Sequence, residues 1–445
     1  MNTRPLKVAV LGCGVVGTKV VRLLHDRRSA LADRMGAPVE IAGVAVRDLQ
    51  RPRDLGIDPA LLTNDPLELV KRDGIDIVVE LLGGIEPARS LMVTAMERGA
   101  SVVSANKAVV AEHGPVLHEI AARHGVDLLY EASVAAAIPL LRPLRDSLGG
   151  DDVTRVVGIV NGTTNYVLDR MTETGSGLDA ALREAIERGY AEADPTADVE
   201  GTDAAAKAVI LGSLAFHSWM SPTDVYREGI TGVTAEDVAD ARACDCVVKL
   251  VAVLERTAAQ DEFLVRVQPM MVPRTHPLAE VKGADNAVLI EAASAGRLLF
   301  RGAGAGGAPT AGAIVGDVVT AARRRLLGQH EPAVRTTVAD RARAAGGLRG
   351  RYHLRVRVDG SATSLDDIVS ALRRNEVRVG SVRRRRTAGP DTWVLVTEPC
   401  READLLSAVD SLSALPSVGD VPRFLRILDS DGQEVVDGQG STADR

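Results

Sequence analysis

Short apolar runs alternate with helix-like segments along roughly the first third of the chain. The runs typical of buried strands lie at residues 7–11, 41–46, 75–82, 100–104 and 127–130. The segments between them carry a helical pattern of apolar positions, most clearly at residues 66–72, 87–98 and 111–124. Strands that alternate with helices predict a parallel sheet with right-handed crossovers. We therefore predict a doubly wound α/β domain over residues 1–147.

The middle of the chain has a different pattern, in which strands and helices do not alternate regularly. Strand-like runs lie at residues 154–160, 263–271 and 287–291. Helical patterns lie at residues 178–187, 203–216 and 235–245. This α+β pattern predicts a second domain over residues 148–328. One more helix, at residues 310–327, follows a glycine-rich stretch, and we expect it to complete the first domain.

The last part of the chain begins with residues 329–349, which contain few apolar positions and are interpreted as a linker. The predicted elements after it follow the order β-α-β-β-α-β, at residues 352–358, 364–373, 377–385, 392–397, 402–412 and 423–428. This order is typical of the ferredoxin-like split unit, which we predict over residues 350–429. The polar tail, residues 430–445, is predicted to be disordered.

Composition argues against a nucleic-acid partner. Aromatic residues make up only 2% of the 445 residues, too few for the stacking platforms that bind single strands. The formal net charge of −7 gives no general attraction for phosphate backbones. Four consecutive arginines, at residues 383–386, are interpreted as part of a solvated strand or loop.

Cysteine use and hydropathy predict a cytoplasmic protein. The chain has four cysteines, a sparse use that suits a reducing compartment: Cys13, Cys244, Cys246 and Cys400. Cys244 and Cys246 are too close together for the usual spacing of zinc ligands. The first residues lack the pattern of a signal peptide, and no apolar run reaches the roughly 18 residues of a membrane-spanning helix.

A glycine-rich loop follows the first predicted strand and opens a predicted helix. Its sequence is Gly12-Cys13-Gly14-Val15-Val16-Gly17. In this context Gly12 makes a tight turn, Gly14 lets the backbone approach a pyrophosphate, and Gly17 lets the helix pack on the strand. The N-terminus of the helix then faces the phosphates. A glycine turn with a purely structural role is the alternative.

The end of the second predicted strand indicates the type of cofactor. A carboxylate there binds the ribose hydroxyls of NAD(H), whereas an arginine suits the additional phosphate of NADP(H). This chain has Arg47 followed by Asp48. Arg47 favours NADP(H), with NAD(H) possible. The alternative is a surface arginine beside an aspartate that caps a helix.

Residues 185–207, with the sequence AIERGYAEADPTADVEGTDAAAK, carry the densest group of candidate catalytic side chains. Asp203 and Lys207 are four residues apart on a predicted helix, so they share one face. Alone, such a pair is usually a solvated ion pair of little energy. Here small alanine neighbours leave room for a ligand, and Glu192 lies on the loop upstream. Carboxylates that grip an ammonium, beside a lysine that moves a proton, suit an amino-acid alcohol or aldehyde.

The same segment resembles the signature of homoserine dehydrogenases, A-x3-G-Y-A-x2-D-P-x2-D-V-x-G-x-D-x3-K. Other motifs of that family occur in order: SANK at 104–107, EASV at 131–134, NGTTN at 161–165, HPL at 276–278 and GAGAGGAPT at 302–310. The resemblance covers residues 7 to about 328. It implies a catalytic and dimerisation domain at 148–328 and NAD(P)-dependent interconversion of L-homoserine and L-aspartate 4-semialdehyde. That reaction serves the synthesis of threonine, methionine and isoleucine.

The resemblance also implies roles for individual residues. Lys207 matches the proton donor to the substrate oxygen, and Lys107 matches a second active-site lysine near the nicotinamide and the substrate. Glu192 and Asp203 match the residues that hold homoserine. Besides the glycine-rich loop and Arg47, the residues expected to line the cofactor are Gly83, Ser104, Lys107, Gly189 and Gly306.

A monovalent cation, usually sodium, is also implied by the resemblance. Its expected ligands are Glu131 and the main-chain oxygens of Val134, Ala136 and Ile138. Oxygen ligands that are mostly carbonyls suit a hard cation of low charge. Residues 135–137 are alanines where the family commonly has one or more glycines, so the carbonyl ligands are expected to remain, while the geometry of the loop is left open.

The C-terminal split unit resembles an ACT domain, which commonly senses threonine in this family. Its first turn, residues 359–364, lacks the proline that usually stands at the effector site. Threonine binding and a purely structural or dimerising role are therefore both open. The family also implies a homodimer or homotetramer.

Two other classes of function are alternatives. A semialdehyde dehydrogenase that forms an acyl intermediate needs a nucleophilic cysteine, and none of the four cysteines lies in a suitable loop with a partner histidine. A non-catalytic metabolite sensor would be expected to lose the polar site. The retention of Lys107, Glu192, Asp203 and Lys207 therefore favours an enzyme.

Overall fold

The structure, a computed structural model, describes residues 4–51, 53–256, 263–331, 349–359, 363–385, 391–418 and 420–429. They fall into two compact units. The described residues of the first unit lie within Met1–Gly162, Asp203–Val225 and Ala284–Asp340, and those of the second within Thr163–Thr202, Tyr226–Gly283 and Arg341–Arg445. Among them, no helix is long and apolar enough to cross a membrane.

The strands of the described residues, in chain order, are β1 Leu6–Leu11, β2 Val39–Ala45, β3 Leu62–Thr63, β4 Ile77–Glu80, β5 Ser101–Ser104, β6 Leu128–Leu129, β7 Val153–Ile159, β8 Tyr226–Arg227, β9 Cys246–Arg256, β10 Phe263–Pro273, β11 Asp285–Ala292, β12 Gly296–Ala303, β13 Arg349–Val358, β14 Val379–Arg385, β15 Asp391–Thr397, β16 Cys400–Arg401 and β17 Arg423–Ile427.

The α-helices of the described residues are α1 Val15–Asp26, α2 Arg28–Met35, α3 Pro66–Lys71, α4 Ala88–Glu97, α5 Lys107–His124, α6 Gly162–Thr174, α7 Leu178–Glu187, α8 Thr196–Val199, α9 Thr202–Ala215, α10 Ala235–Ala243, α11 Gly307–Leu326, α12 Leu365–Arg374 and α13 Glu402–Ser413. Short 3₁₀ turns occur at Pro59–Leu61, Glu131–Ser133, Pro222–Asp224 and Pro277–Glu280, and a π-helical turn at Pro143–Ser147.

The first unit contains a six-stranded sheet in the order β3-β2-β1-β4-β5-β6, whose strand pairs are parallel. β1, with the sequence LKVAVL, is buried along nearly its whole length, as expected where helices cover both faces of a parallel sheet. The strand order reverses at β1, and ligands of such sheets bind outside the carboxyl ends of the strands at that point. The predicted α/β fold with a Rossmann-like sheet is confirmed.

Helix α11 packs against α1 in the same unit. Its buried side chains Ile314 and Val318 share one hydrophobic core with Val10, Val20 and Val21. A chain segment far from β1 in sequence thus completes the core beneath the glycine-rich loop. The unit also contains the antiparallel strands β12-β11-β7, and the chain leaves β7 directly before residues 160 and 161.

The second unit is built on an antiparallel hairpin of β9 and β10. β8 and β17 pair in parallel with β10. β17 also belongs to the antiparallel order β17-β13-β15-β14, which shares a hydrophobic core with α12 and α13. The predicted β-α-β-β-α-β order of the C-terminal elements is therefore present.

Arginines of the split unit contact α10 in the same unit. Arg355, which is 6% exposed, donates to Asp237 Oδ1 at 2.6 Å and to Asp240 Oδ2 at 2.8 Å. Arg385 donates to Asp240 Oδ1 at 2.9 Å, and Arg383 donates to the main-chain oxygen of Ala243 at 3.0 Å. The basic run lies on β14, whose residues 380–384 are exposed, so the predicted solvated strand is confirmed, and Arg383 and Arg385 also make these contacts within the unit. Its last residue, at position 386, lies outside the described residues.

Several other elements differ from the prediction. Helix α5 begins at Lys107, earlier than predicted, because the Asn106 side chain accepts a hydrogen bond from Val109 N. Helix α10 ends at Ala243, and after Asp245, with a φ of 54°, comes the unpredicted strand β9. Helix α6 was also not predicted.

Residues 332–348 of the linker and the tail 430–445 lie outside the described residues, and the domain boundaries at 147, 328 and 349 stay predictions.

The packing of Gly114 in α5 generates a stability prediction. A Cβ at Gly114 would stand 1.8 Å from Trp219 Cζ2, whereas a Cβ at Gly312 in α11 would have no atom within 4 Å. We expect Gly114→Ala to lower the free energy of unfolding by about 1–3 kcal/mol through overpacking. The matched control Gly312→Ala should raise it by about 0.5–1 kcal/mol. Urea unfolding followed by circular dichroism measures both, and a stabilising effect of Gly114→Ala would contradict this packing.

Candidate functional site

The glycine-rich loop lies between β1 and α1, and two of its glycines are required by the backbone. Gly12 has a φ of 102°, and a Cβ there would stand 2.6 Å from the main-chain oxygen of Leu81 on the neighbouring chain segment. A Cβ at Gly17 would stand 2.2 Å from the main-chain oxygen of Gly12. At Gly14, by contrast, a Cβ would have no neighbour within 4 Å. The loop therefore presents an open stretch of backbone at the start of α1, where a phosphate can approach.

A cleft of about 480 Å³ lies beside this loop, at the carboxyl ends of β1, β2 and β4. Its walls include residues 12–14, 45–47 and 81–83. Three arginines also line it, namely Arg47, Arg51 and Arg53. The cleft therefore combines open backbone with positive charge, as a dinucleotide with several phosphates requires.

The carboxylate next to Arg47 is engaged elsewhere. Asp48 Oδ1 accepts a hydrogen bond from the main chain of Gln50 at 2.8 Å, in a local turn. Arg53 donates to the main-chain oxygen of Asp48 at 2.7 Å, which brings a second arginine back to the end of β2. Arg51 and Arg53 were not predicted as site residues, because they lie in a loop without periodicity. The sequence offered one signal for a role in the cleft, namely that both arginines follow Arg47 closely along the chain.

Ser104 at the end of β5 lies inside the first unit. Its side chain is fully buried and donates to Glu80 Oε2 at 2.7 Å, and its Oγ accepts from the main chain of Asn106 at 3.0 Å. Asn106 in turn caps α5 and donates to the main-chain oxygen of Gly84 at 2.7 Å. These bonds fix the first residue of α5, which is Lys107.

Two lysines share one carboxylate in the first unit. Lys107 Nζ lies 2.9 Å from Asp203 Oδ1, and Lys207 Nζ lies 2.7 Å from Asp203 Oδ2. Asp203 and Lys207 occupy one face of α9, as predicted, whereas Lys107 comes from α5. Asp203 is 9% exposed, and the side chains of Lys207 and Lys107 are 12% and 41% exposed. The group is thus accessible mainly from the side of Lys107.

Residues that follow β7 complete this group. The main-chain oxygen of Val160 accepts from Lys207 Nζ at 2.8 Å, and Asn161 Nδ2 donates to Asp203 Oδ2 at 2.8 Å. Asn161 belongs to the NGTTN motif, but neither its residue type nor its spacing indicated a role. No periodicity distinguishes an amide that follows a strand from an ordinary loop residue.

The charges in this group determine the state of Asp203. Burial opposes ionisation of the carboxyl, but the positive charges of Lys207 and then of Lys107 outweigh it, so the pKa of Asp203 lies well below its usual range. The group thus brings two lysine ammonium groups to one carboxylate. Such a group can stabilise an oxygen that becomes negative and can supply it with a proton.

The other predicted site residues lie in several places. Gly306 has a φ of 124° and stands at the N-terminus of α11 in the first unit. Gly83 has a φ of 76° and lines the cleft. Gly189, with a φ of 74°, and the exposed Glu192 lie in the second unit, on the segment between α7 and α8.

The predicted cation loop surrounds Glu131, which is 3% exposed. Its carboxylate accepts hydrogen bonds from the main chains of Leu140, Leu141 and Arg142 at 2.6, 2.9 and 2.8 Å. Ala135 and Ala136 have positive φ values of 55° and 32°, a region that favours glycine and that costs alanine energy. Alanines therefore occupy a turn whose backbone conformation favours glycine.

Three main-chain oxygens of this loop were predicted as ligands. Val134, Ala136 and Ile138 are all buried, and among the described residues their main-chain oxygens accept no main-chain hydrogen bond. Buried carbonyl oxygens are normally paired, so this set fits a cation bound by main-chain oxygens. The described part of the chain contains no cluster of three or more His, Cys, Asp or Glu side chains that could hold a metal ion.

Two family models match the sequence. A model described as homoserine dehydrogenase matches residues 139–319, and a model described as the NAD binding domain of homoserine dehydrogenase matches residues 12–131. A curated homoserine dehydrogenase of Mycobacterium tuberculosis is 46% identical over 96% of this chain and 98% of its own length. One of Corynebacterium glutamicum is 43% identical over 94% of this chain and 95% of its own length.

Solved structures of homoserine dehydrogenases are also similar to this chain. A homoserine dehydrogenase from Thiobacillus denitrificans has a TM-score of 0.90 at 34% identity, covering 96% of this chain and 99% of its own. A hyperthermophilic archaeal homoserine dehydrogenase in complex with NADPH has a TM-score of 0.61 at 25% identity, covering 75% of this chain and 100% of its own. The similarity to the first of these extends over both units.

The shared carboxylate generates a prediction about stability and pH. Asp203→Asn removes the carboxylate charge that Lys107 and Lys207 share, and we expect a loss of about 2–3 kcal/mol at pH 7. This is less than the roughly 3–5 kcal/mol of a fully buried pair, because Lys107 is partly exposed. The folded pKa of Asp203 is lowered, so its contribution is complete above the ordinary carboxyl pKa of about 4 and is lost as pH falls further.

Urea unfolding at pH 7, 5 and 3 measures this difference between wild type and Asp203→Asn. The matched control is Asp33→Asn, an exposed position on α2, which should change stability little at each pH. If the difference in free energy of unfolding between wild type and Asp203→Asn stays constant from pH 7 to 3, this would contradict the ionised state assigned to Asp203.

Proposed function

This chain belongs to the homoserine dehydrogenase family, and on that premise we propose which of its residues carry the reaction. The enzyme interconverts L-homoserine and L-aspartate 4-semialdehyde with a nicotinamide cofactor, an oxidation–reduction in amino-acid biosynthesis. The structural observation that supports this assignment of residues is that Lys107 and Lys207 both contact the carboxylate of Asp203. The nicotinamide supplies or accepts the hydride at the carbon that bears the reacting oxygen.

Lys207 is the proposed proton donor. When the aldehyde is reduced, its oxygen gains negative charge, and the Lys207 ammonium gives it a proton to form the hydroxyl of homoserine. When homoserine is oxidised, the neutral amine takes the hydroxyl proton as the hydride leaves. Among the described residues, Val160 O and Asp203 Oδ2 accept from Lys207 Nζ, which leaves its third N–H for the substrate oxygen. An arginine could hold that charge but could not release the proton.

Lys107, Asp203 and Glu192 are proposed to position the substrate. Both oxygens of Asp203 are already engaged by lysines, so we assign Asp203 chiefly to holding these lysines beside the substrate. The exposed carboxylate of Glu192 is free of this constraint and suits the ammonium of homoserine. Lys107, the more exposed of the lysines, suits an anionic oxygen of the substrate near the nicotinamide.

NADP(H) is the proposed preferred cofactor, with NAD(H) as a usable alternative. The support is Arg47 in the cleft, together with Arg51 and Arg53, and the engagement of Asp48 in its own turn. The archaeal neighbour was solved with NADPH, which agrees with this preference. The loop of residues 12–17, with Gly83, Ser104, Lys107, Gly189 and Gly306, is proposed to complete the binding site.

A monovalent cation, most simply sodium, is proposed at Glu131 and the oxygens of Val134, Ala136 and Ile138. The support is the set of buried main-chain oxygens without main-chain partners among the described residues. Such a cation would fix the loop that leads into the π-helical turn Pro143–Ser147. It would supply structural charge compensation and take no part in proton transfer.

Three properties outside the active site complete the proposal. We propose that the split unit either binds threonine as an effector or has a structural or dimerising role; its β-α-β-β-α-β order supports the ACT-like fold that both roles share, and residues 360–362 of the turn lie outside the described residues. We propose a homodimer or homotetramer on the ground of family membership alone. A cytoplasmic location is supported by the four cysteines, which are all free thiols.

The role of Lys207 generates the first functional prediction. Lys207→Ala should lower kcat by about 10²–10⁴-fold in both directions, because proton transfer is lost. NADPH affinity, measured by fluorescence titration, should stay nearly unchanged. Lys207→Arg keeps the charge but cannot pass the proton, so it should be almost as inactive. Substantial activity in Lys207→Arg would mean that the charge alone is needed.

The arginines of the cleft generate the second functional prediction. Arg47→Ala should raise the KM for NADP⁺ by about tenfold or more, because a charge-assisted bond to the additional phosphate is lost. The KM for NAD⁺ should change much less. The matched control is Arg34→Ala, an exposed arginine on α2 in the same unit, which should alter neither KM. An equal loss with both cofactors would contradict the assignment to NADP(H).

A further inference from the structure

We propose that Asn161 is a positioning residue that controls how tightly Lys207 holds its proton, acting through the carboxylate of Asp203. This inference deepens the function proposed above and rests on the role of Lys207 as proton donor. The juxtaposition that carries it is one carboxylate oxygen, Asp203 Oδ2, approached by Lys207 Nζ at 2.7 Å and by Asn161 Nδ2 at 2.8 Å.

Asn161 is well placed for this role. It follows β7 by two residues, and it is 4% exposed, while Asp203 is 9% exposed. Val160, its neighbour in the chain, fixes Lys207 Nζ through the main-chain oxygen at 2.8 Å. The end of one buried strand therefore holds both members of the Asp203–Lys207 pair, one by a main-chain acceptor and the other by a side-chain donor.

The amide changes the chemistry of the oxygen that it contacts. A hydrogen bond from Nδ2 disperses part of the negative charge on Oδ2, and it competes there with the ammonium. The hold of Asp203 on the proton of Lys207 is therefore weaker than in a bare ion pair. A lysine that must both give and take a proton needs this weaker hold by its carboxylate partner, because a strong ion pair would keep the lysine permanently charged.

A second lysine also faces this pair. Within the described residues of the first unit, the charged group beside it is Lys107 from α5, at 2.9 Å from Asp203 Oδ1. Lys107 shares the negative charge of Asp203 and so acts in the same direction as Asn161. The segment after β7 contributes a neutral amide and a main-chain oxygen. A change at residue 161 therefore alters the charge around Lys207 without removing either lysine.

The test is the pH dependence of kcat for Asn161→Leu and Asn161→Asp, measured for both directions of the reaction. Asn161→Leu removes the donor, and Asn161→Asp replaces it with negative charge; both strengthen the hold on the proton. We expect the midpoint of the kcat profile to move to higher pH, by about one pH unit for Asn161→Asp and by less for Asn161→Leu. Homoserine oxidation should therefore need a higher pH, and aldehyde reduction should persist to a higher pH.

The matched control is Asn165→Leu, the second buried asparagine of the same motif. Asn165 accepts from Lys249 Nζ at 2.8 Å and donates to the main-chain oxygen of Gly283 at 2.9 Å, both in the second unit. We expect this variant to lose stability, with the midpoint of its kcat profile unchanged. Thermal unfolding and the dissociation constant for NADPH show in each case that the variant is folded.

Two outcomes would overturn the inference. If kcat of both Asn161 variants falls by the same factor at every pH, Asn161 is only structural. If the midpoint moves to lower pH, the amide acts in the opposite sense. Failure of the proposed function gives a different result, because Lys207→Ala would then retain its activity whatever the Asn161 variants do.

Discussion

A single buried carboxylate that serves two ammonium groups is the constraint on which the rest of the site depends. Asp203 can stay ionised while buried only because Lys207 and Lys107 lie close to it, at 2.7 and 2.9 Å. The lysines in turn would repel each other without it. The surrounding elements hold this arrangement in place, since Asn106 sets the first residue of α5 and the end of β7 places Val160 and Asn161.

The cofactor cleft depends on a different physical requirement, the close approach of main chains. Gly12 and Gly17 are needed because a Cβ at either would collide with a main-chain oxygen. That closeness packs α1 on β1 and leaves the open backbone of Gly14 at the end of the sheet. The arginines at the end of β2 then give the cleft the positive charge that the helix N-terminus alone supplies only in part.

Much of the fold could be predicted from patterns that repeat along the chain. The alternation of strands and helices was enough to predict the parallel sheet. The periodicity of apolar positions, together with the turn residues, was enough to predict the order of elements in the split unit. The strand β9 was missed because it directly follows α10 and carries Lys249 in its middle. That lysine is 2% exposed and is satisfied by Asn165 and the main-chain oxygen of Val281. These hydrogen-bond partners come from distant segments of the chain. The local pattern of polar and apolar residues therefore does not show that Lys249 is buried within a strand.

What the sequence determined by itself is chemistry that depends on spacing along one element. The glycine spacing predicted the cofactor loop, and the four-residue spacing of Asp203 and Lys207 placed them on one face of α9, because helix geometry is local. The family motifs placed Lys107 in the active site, but tertiary structure alone decided that it shares the carboxylate of Asp203, that Asn161 shares an oxygen with Lys207, and that Arg51 and Arg53 line the cleft. These contacts join the ends of different elements, and no periodicity along the chain encodes a distance between two such ends.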